Sequence, residues 1–115
     1  MKFEQIRQIL NAQAVCCAEH LDADASTAAY ASDMMSDVLA FVTDQTVLLT
    51  GLVNEQVIRT AAMLDMRCVI LVRSKQPTPG MLQLAKQNDI AIMTTGFNLY
   101  ESCGMLYSNG LKEGC

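Results

Sequence analysis

Three aliphatic runs, "TVLLT" at 46–50, "CVILV" at 68–72 and "IAIMT" at 90–94, recur along the second half of this chain. Each is followed by a segment with helical spacing. An unbroken apolar run of this length suits a strand covered on both faces rather than one with a face turned to water. Buried strands that alternate with helices imply a parallel sheet, because a parallel neighbour is reached only through a crossover long enough to hold a helix.

The segments between the runs agree with this. Met34, Met35, Val38, Leu39 and Val42 form a helical stripe. Asn54 stands where an N-cap belongs, ahead of a helix bearing Val57, Ile58, Ala61, Ala62 and Leu64. Thr78 is a second N-cap, and Pro79 takes the first helical position, where its missing N–H costs little. "RSKQ", after the 68–72 run, reads as a loop. A last helix over about 97–107 aligns Leu99, Cys103 and Leu106. With "AAYAS" at 28–32 as a strand, the order from residue 28 onward is strand–helix four times over. Upstream, Phe3, Ile6, Ile9 and Leu10 are spaced as a helix, "AVCCA" at 14–18 is a short strand, and "EHLDADAST" is polar and turn-like. "NGLKEGC" is a glycine-punctuated end. The expectation is one domain over 1–115: an amino-terminal helix, short strand and loop over 1–27, then core repeats over 28–111. Its fold class is α/β, a three-layer α/β/α sandwich with a mainly parallel sheet and right-handed crossovers.

Charge and cysteine usage exclude several functions. Formal net charge is −4 and the eight Lys and Arg residues are scattered, so the basic footprint of a nucleic-acid binder is missing. No apolar run approaches a membrane span, and "MKFEQIRQIL" is too charged for a secretory signal. The five cysteines, Cys16, Cys17, Cys68, Cys103 and Cys115, are odd in number and lack a C-x-x-C spacing. That pattern fits neither a disulfide framework nor a zinc site. Cys68 and Cys103 fall on apolar elements as small core residues, Cys115 sits in the tail, and a reducing cytoplasm is expected.

Catalytic motifs are missing. "TGLVNEQ" lacks the Gly-Lys-Ser/Thr ending of a phosphate-binding P-loop, and no G-x-G-x-x-G occurs. His20, the single histidine, lies in a polar stretch and reads as a loop or helix-end residue rather than a general base. Asp33 and Asp37, four apart in "YASDMMSDVLA", would share a helix face. Asp33 is best placed as an N-cap, with Asp37 one turn further on near the positive end of the helix dipole. No catalytic residue, metal ligand or cofactor is assigned. One constellation remains, at the carboxyl ends of the strands, where open parallel sheets bind ligands. It comprises Ser32, Asp33, Thr50, Gly51, Arg73, Ser74, Lys75, Thr94, Thr95 and Gly96. Its hydroxyls, glycines and two cations suit a small anionic ligand or nucleotide.

"SDMMSDVLA", followed by "TVLLTGLVNEQVIRTAAMLDMRCVILVRSKQPTPGMLQLAKQNDIAIMTT" and closed by "GMLYSNGL", resembles the DRTGG-domain family, particularly its stand-alone bacterial members. The resemblance spans roughly residues 28–111. The Asp-Arg-Thr-Gly-Gly string that names the family does not occur; Thr50-Gly51 and the distant Arg59 are its nearest counterparts. The resemblance implies a three-layer α/β/α fold, similar to the amino-terminal domain of HPr kinase/phosphorylase, that regulates or assembles dimers while other domains catalyse. It also implies a link to hydrogenase or other redox and energy metabolism.

The function expected is therefore a non-catalytic regulatory or ligand-sensing module. It is expected to be homodimeric, with Tyr100, Met105 and Tyr107 as contact residues, and to meet a protein partner in a redox or signalling system. It is expected to use neither nucleic acid nor membrane. Two alternatives are a small metal-dependent enzyme using Asp33 and Asp37, and a structural subunit of a larger redox complex.

Overall fold

The computed structural model describes residues 1–42 and 46–114. Cys115, expected in the tail, lies outside the described residues. The elements run α1 (Phe3–Ile9), β1 (Gln13–Cys16), α2 (His20–Ala23), β2 (Ala28–Ala31), α3 (Met35–Phe41), β3 (Thr46–Thr50), α4 (Glu55–Met63), β4 (Cys68–Leu71), α5 (Pro79–Gln87), β5 (Ala91–Thr94), α6 (Leu99–Ser108) and β6 (Lys112–Glu113). The four strand–helix repeats from residue 28 are all present.

The strands form one sheet in the order β1-β5-β4-β3-β2-β6. Strands β2 to β5 are parallel and spatially consecutive, β1 returns antiparallel to β5, and β6 joins β2 in parallel. Consecutive parallel strands joined by crossovers of one hand place every crossover helix on the same face. The core divides accordingly. Val38 of α3, Val57, Ile58 and Ala61 of α4, and Met81 and Ala85 of α5 pack with Leu48, Val69, Leu71 and Ile92 on one side. Phe3 and Ile6 of α1 and Leu106 of α6 pack with Val47, Leu49, Cys68, Ile70 and Met93 on the other. Alternate residues of each strand thus point to opposite cores, which is why the runs are apolar throughout. The result is an α/β/α sandwich.

Local chemistry fixes the helix starts. The Asn54 side chain accepts from the Val57 amide and the Thr78 hydroxyl from the Met81 amide, with Pro79 at the first turn, as expected. Three expectations need correction. The last helix starts at Leu99, not near 97, because Asn98 accepts from the Glu101 amide as its N-cap. "EHLDADAST" includes the short helix α2, opening at His20. "NGLKEGC" is more than a turn: Lys112 and Glu113 pair with Ala28 and Ala29, covering part of the outer edge of β2.

Candidate functional site at the carboxyl edge

Three loops meet at the carboxyl ends of the parallel strands, and one aspartate ties two of them together. Asp33 precedes α3 but does not cap it; the N-cap position is Met34, without a side-chain cap. The Asp33 Oδ1 instead accepts from the Thr50 hydroxyl at 2.9 Å and from the Gly51 amide at 2.7 Å. The helix entry is served by Ser32, whose Oγ accepts from the Met34 amide at 3.0 Å. This corrects the expected role of Asp33: an N-cap is a local assignment, whereas its partners lie across the sheet on β3.

Lys75 grips the same glycine from the other side, its Nζ donating to the Gly51 carbonyl at 2.6 Å. Both peptide groups flanking this position are therefore held by side chains from different loops. A β-carbon on Gly51 would lie 3.5 and 3.6 Å from the Asp33 carboxylate oxygens and 3.6 Å from Lys75 Nζ. An ammonium has three donors, so the Gly51 bond leaves Lys75 capacity for more.

The loop after β4 turns through two successive left-handed residues, Arg73 (φ 60°) and Ser74 (φ 57°), and the Lys75 amide closes it on the Val72 carbonyl at 3.3 Å. Non-glycine residues in this region cost of order 1 kcal/mol each and persist where surrounding contacts enforce them. Those contacts are present: the Arg73 and Ser74 amides donate to the Phe97 and Thr95 carbonyls, both at 2.8 Å. The turn thereby clasps the β5–α6 loop and aims the Arg73 side chain to one side of the clasp and Ser74 to the other.

The clasp divides eight of the ten expected residues between two depressions. One, of about 470 Å³, is lined by Asp33, Gly51, Val72, Arg73, Lys75, Asn98, Leu99 and Tyr100. The other, of about 380 Å³, is lined by Arg7, Asn11, Ala12, Gln13, Ser74, Gln76, Thr94, Thr95 and Gly96. Thr50 sits beneath the first as a fully buried partner of Asp33, and Ser32 stays at the α3 entry, so neither lines a depression. In the second, Arg7 is already bound to Glu4 through its Nε and Nη2, and Glu4 is held below the usual carboxylate range by that pairing. Thr95, buried, donates to the Leu10 carbonyl at 2.7 Å. The first depression is thus better suited to an anion, since Arg73 and Lys75 stand there at an exposed rim beside Tyr100, which is 89% exposed.

Sequence reasoning missed Asn98 and named Tyr100 only as a dimer contact, not as a residue of this depression. A signal for Asn98 was available: an Asx residue with Glu101 three positions on marks a helix start. Asp37, one turn into α3, lines neither depression. Among the described residues, no group of three or more His, Cys, Asp and Glu side chains is placed to hold a metal ion. A third cavity, of about 270 Å³, lies away from this edge between α6 and β2, lined mostly by apolar residues. Among the described residues no helix is long and apolar enough to cross a membrane.

The family model described as the DRTGG domain matches residues 5–108. Among solved structures, the CBS and DRTGG domains of the regulatory region of Clostridium perfringens pyrophosphatase, complexed with the activator diadenosine tetraphosphate, align with a TM-score of 0.71 at 16% identity. That alignment covers 91% of this chain and 45% of the other, so the present chain spans less than half the length of its structural neighbour. At this identity the likeness is one of fold. No curated protein matches the sequence.

Proposed function

Because the chain belongs to the DRTGG-domain family, we propose that it is a regulatory module which senses a small phosphorylated ligand, foremost a nucleotide, and catalyses no reaction itself. The observation that carries this reading is the depression holding Arg73, Lys75 and Tyr100 above the anchored Gly51. Two cations neutralise phosphate charge, and an exposed aromatic ring offers a stacking surface for a base. The neighbour's complex with a dinucleoside tetraphosphate makes nucleotides the first ligands to try.

The topology supports the same location. Helix α5 leaves β4 towards one face, whereas α6 leaves the adjacent β5 towards the other. Adjacent strands whose helices diverge in this way open a crevice at their carboxyl ends, the usual ligand position in open α/β sheets. Arg73 and Lys75 follow β4, and Asn98 and Tyr100 follow β5.

Thermal-shift titration with mono-, di- and oligophosphate nucleotides, and with inorganic polyphosphate, tests the reading. A ligand at 100 times its Kd stabilises by about 2.7 kcal/mol. Arg73→Ala is expected to abolish that shift while leaving the unliganded melting temperature within about 2 °C, as for other exposed substitutions. The absence of a shift with every phosphorylated compound at millimolar concentration overturns it.

Assembly as a homodimer is part of the same proposal. Tyr100 and Tyr107 are exposed, and so are Met34, Leu39 and Phe41 around α3 and Met63 at the end of α4. Met105, expected among the contact residues, packs half-buried against the core instead. Light scattering at micromolar concentration decides the point, a strict monomer removing it. A protein partner in redox or energy metabolism, hydrogenase-linked systems included, rests on the resemblance to stand-alone family members. Affinity capture from the native cell tests that link.

A further inference from the structure

Cys16 and Cys17 are neighbours in sequence and also in the direction of their thiols. Their Sγ atoms lie 3.2 Å apart, closer than two sulfurs that merely pack. Adjacent residues on a regular strand point to opposite faces, so this contact requires the backbone to break its alternation. It does so twice. The register with β5 shifts between Ala14 and Cys16, a bulge in the ladder, and Cys17 then adopts φ 56°. The bulge and the left-handed residue after it accompany the side-by-side placement of the two thiols. Cys16 is buried in the helix-covered core, whereas Cys17 is only half-buried and its Sγ lies 3.9 Å from the Ala85 carbonyl of α5.

From this geometry we infer that Cys16 and Cys17 form a vicinal dithiol that closes reversibly to an intramolecular disulfide by exchange with a small uncharged disulfide. The site lies at the opposite end of β5 from the carboxyl-edge depressions, since Cys16 pairs with Ile92 while Gln13 pairs with Thr94. The exchange balances without further reagents. The Cys17 sulfur, the more accessible, attacks one sulfur of the reagent and expels the first small thiol. Cys16 then attacks the Cys17 sulfur of the mixed disulfide and expels the second. Two electrons and two protons leave the protein with the two released thiols.

Two properties follow. A ring closed across a single peptide bond has its Cα atoms about 3.8 Å apart, below the usual disulfide range of roughly 4.4–6.8 Å, so it is strained and readily reduced. Such bonds are of the labile, regulatory kind rather than the structural kind. The Cys17 thiol is also pushed up to about 12, chiefly by burial, then by its contact with Cys16 and by the charges of Glu19 and Asp89. Those two acids disfavour a thiolate and an anionic oxidant alike, so the reagent of choice is neutral.

The test treats the folded full chain with bis(2-hydroxyethyl) disulfide, blocks remaining thiols with N-ethylmaleimide, and maps peptides by mass spectrometry. The expected product has lost about two mass units on the peptide containing both residues, carries no maleimide there, and regains both thiols under a mild reductant. Its rate of formation is expected to rise about tenfold per pH unit from pH 7 to 9, because the thiolate is the attacking species. In Cys16→Ser, Cys17 is expected to stop at the mixed disulfide. Independent mixed disulfides on both residues of the natural chain overturn the inference, and so does a pair that stays fully blocked by maleimide after prolonged treatment at about pH 9, whether or not Cys103 oxidises.

Discussion

Replacing Asp33 with alanine removes the acceptor for both the Thr50 hydroxyl and the Gly51 amide. Thr50 is fully buried, so its hydroxyl loses a partner that water replaces poorly, and the Gly51 amide lies in a buried residue as well. Hydrogen bonds to ionised groups contribute about 1.5–3 kcal/mol each when shielded. Asp33 itself is exposed, which lowers the figure, and the pair together is worth about 2 kcal/mol. For 115 residues at about 2.1 cal/mol/K per residue, the unfolding entropy is about 240 cal/mol/K, so the melting temperature should fall by about 8 °C. Asp33→Asn keeps a neutral acceptor in place and should cost about half as much. The assay is urea unfolding of the single variants and of the double variant with Thr50→Val, read as midpoint at constant m-value. A coupling energy of about 1 kcal/mol between positions 33 and 50 is expected from a direct contact of this kind. An Asp33→Ala loss under about 0.5 kcal/mol, or a coupling of zero, refutes the claim that this carboxylate ties β3 to the α3 entry.

The remaining predictions concern ends, edges and thiols. Thr78→Ala removes the N-cap of α5 and should cost about 1 kcal/mol in urea unfolding, with Asn54→Ala costing a similar amount at α4. Gly114→Ala should detach β6: the new β-carbon would overlap Thr46 Oγ1, sit 2.7 Å from Thr46 Cγ2 and 3.1 Å from the Ala28 β-carbon. Faster hydrogen exchange at the residue-114 amide, which donates to the Ala29 carbonyl at 2.8 Å, reads that loss. Burial raises the thiols of Cys17 and Cys68 above the 9.0 of a free cysteine, so the folded form keeps protons that the unfolded chain releases. Stability is then insensitive to these groups below about pH 9 and falls as pH rises above it. Urea midpoints between about pH 8 and 10.5 should show that decline, shallower in Cys68→Ala than in the natural chain.

How much of this was legible beforehand depends on how local each interaction is. The strands β3, β4 and β5 were readable because a sheet covered on both faces demands apolar residues at every position, and the runs supply them. The caps Asn54 and Thr78 were readable because a cap bonds three residues away. Asp33 was misassigned for the converse reason: its partners are 17 and 18 residues distant, and nothing in "YASDMMSDVLA" distinguishes a capping aspartate from one that reaches across to a neighbouring strand. The residues expected at the carboxyl edge were treated as one site, whereas the structure places them around two depressions. What divides them is the turn at Arg73 and Ser74, whose left-handed backbone is imposed by Phe97 and Thr95 from another loop. Arg7, Asn11 and Gln13 enter the second depression only because β1 runs antiparallel to β5, a direction that a four-residue strand does not announce. Strand order bears on the proposed ligand site. With β2 to β5 consecutive, the one place where neighbouring helices part to opposite faces is between β4 and β5, and Arg73, Lys75, Asn98 and Tyr100 all come from the loops and helix start at that parting. A sequence read as strand–helix repeats locates the carboxyl edge; the order of the strands selects the crevice along it.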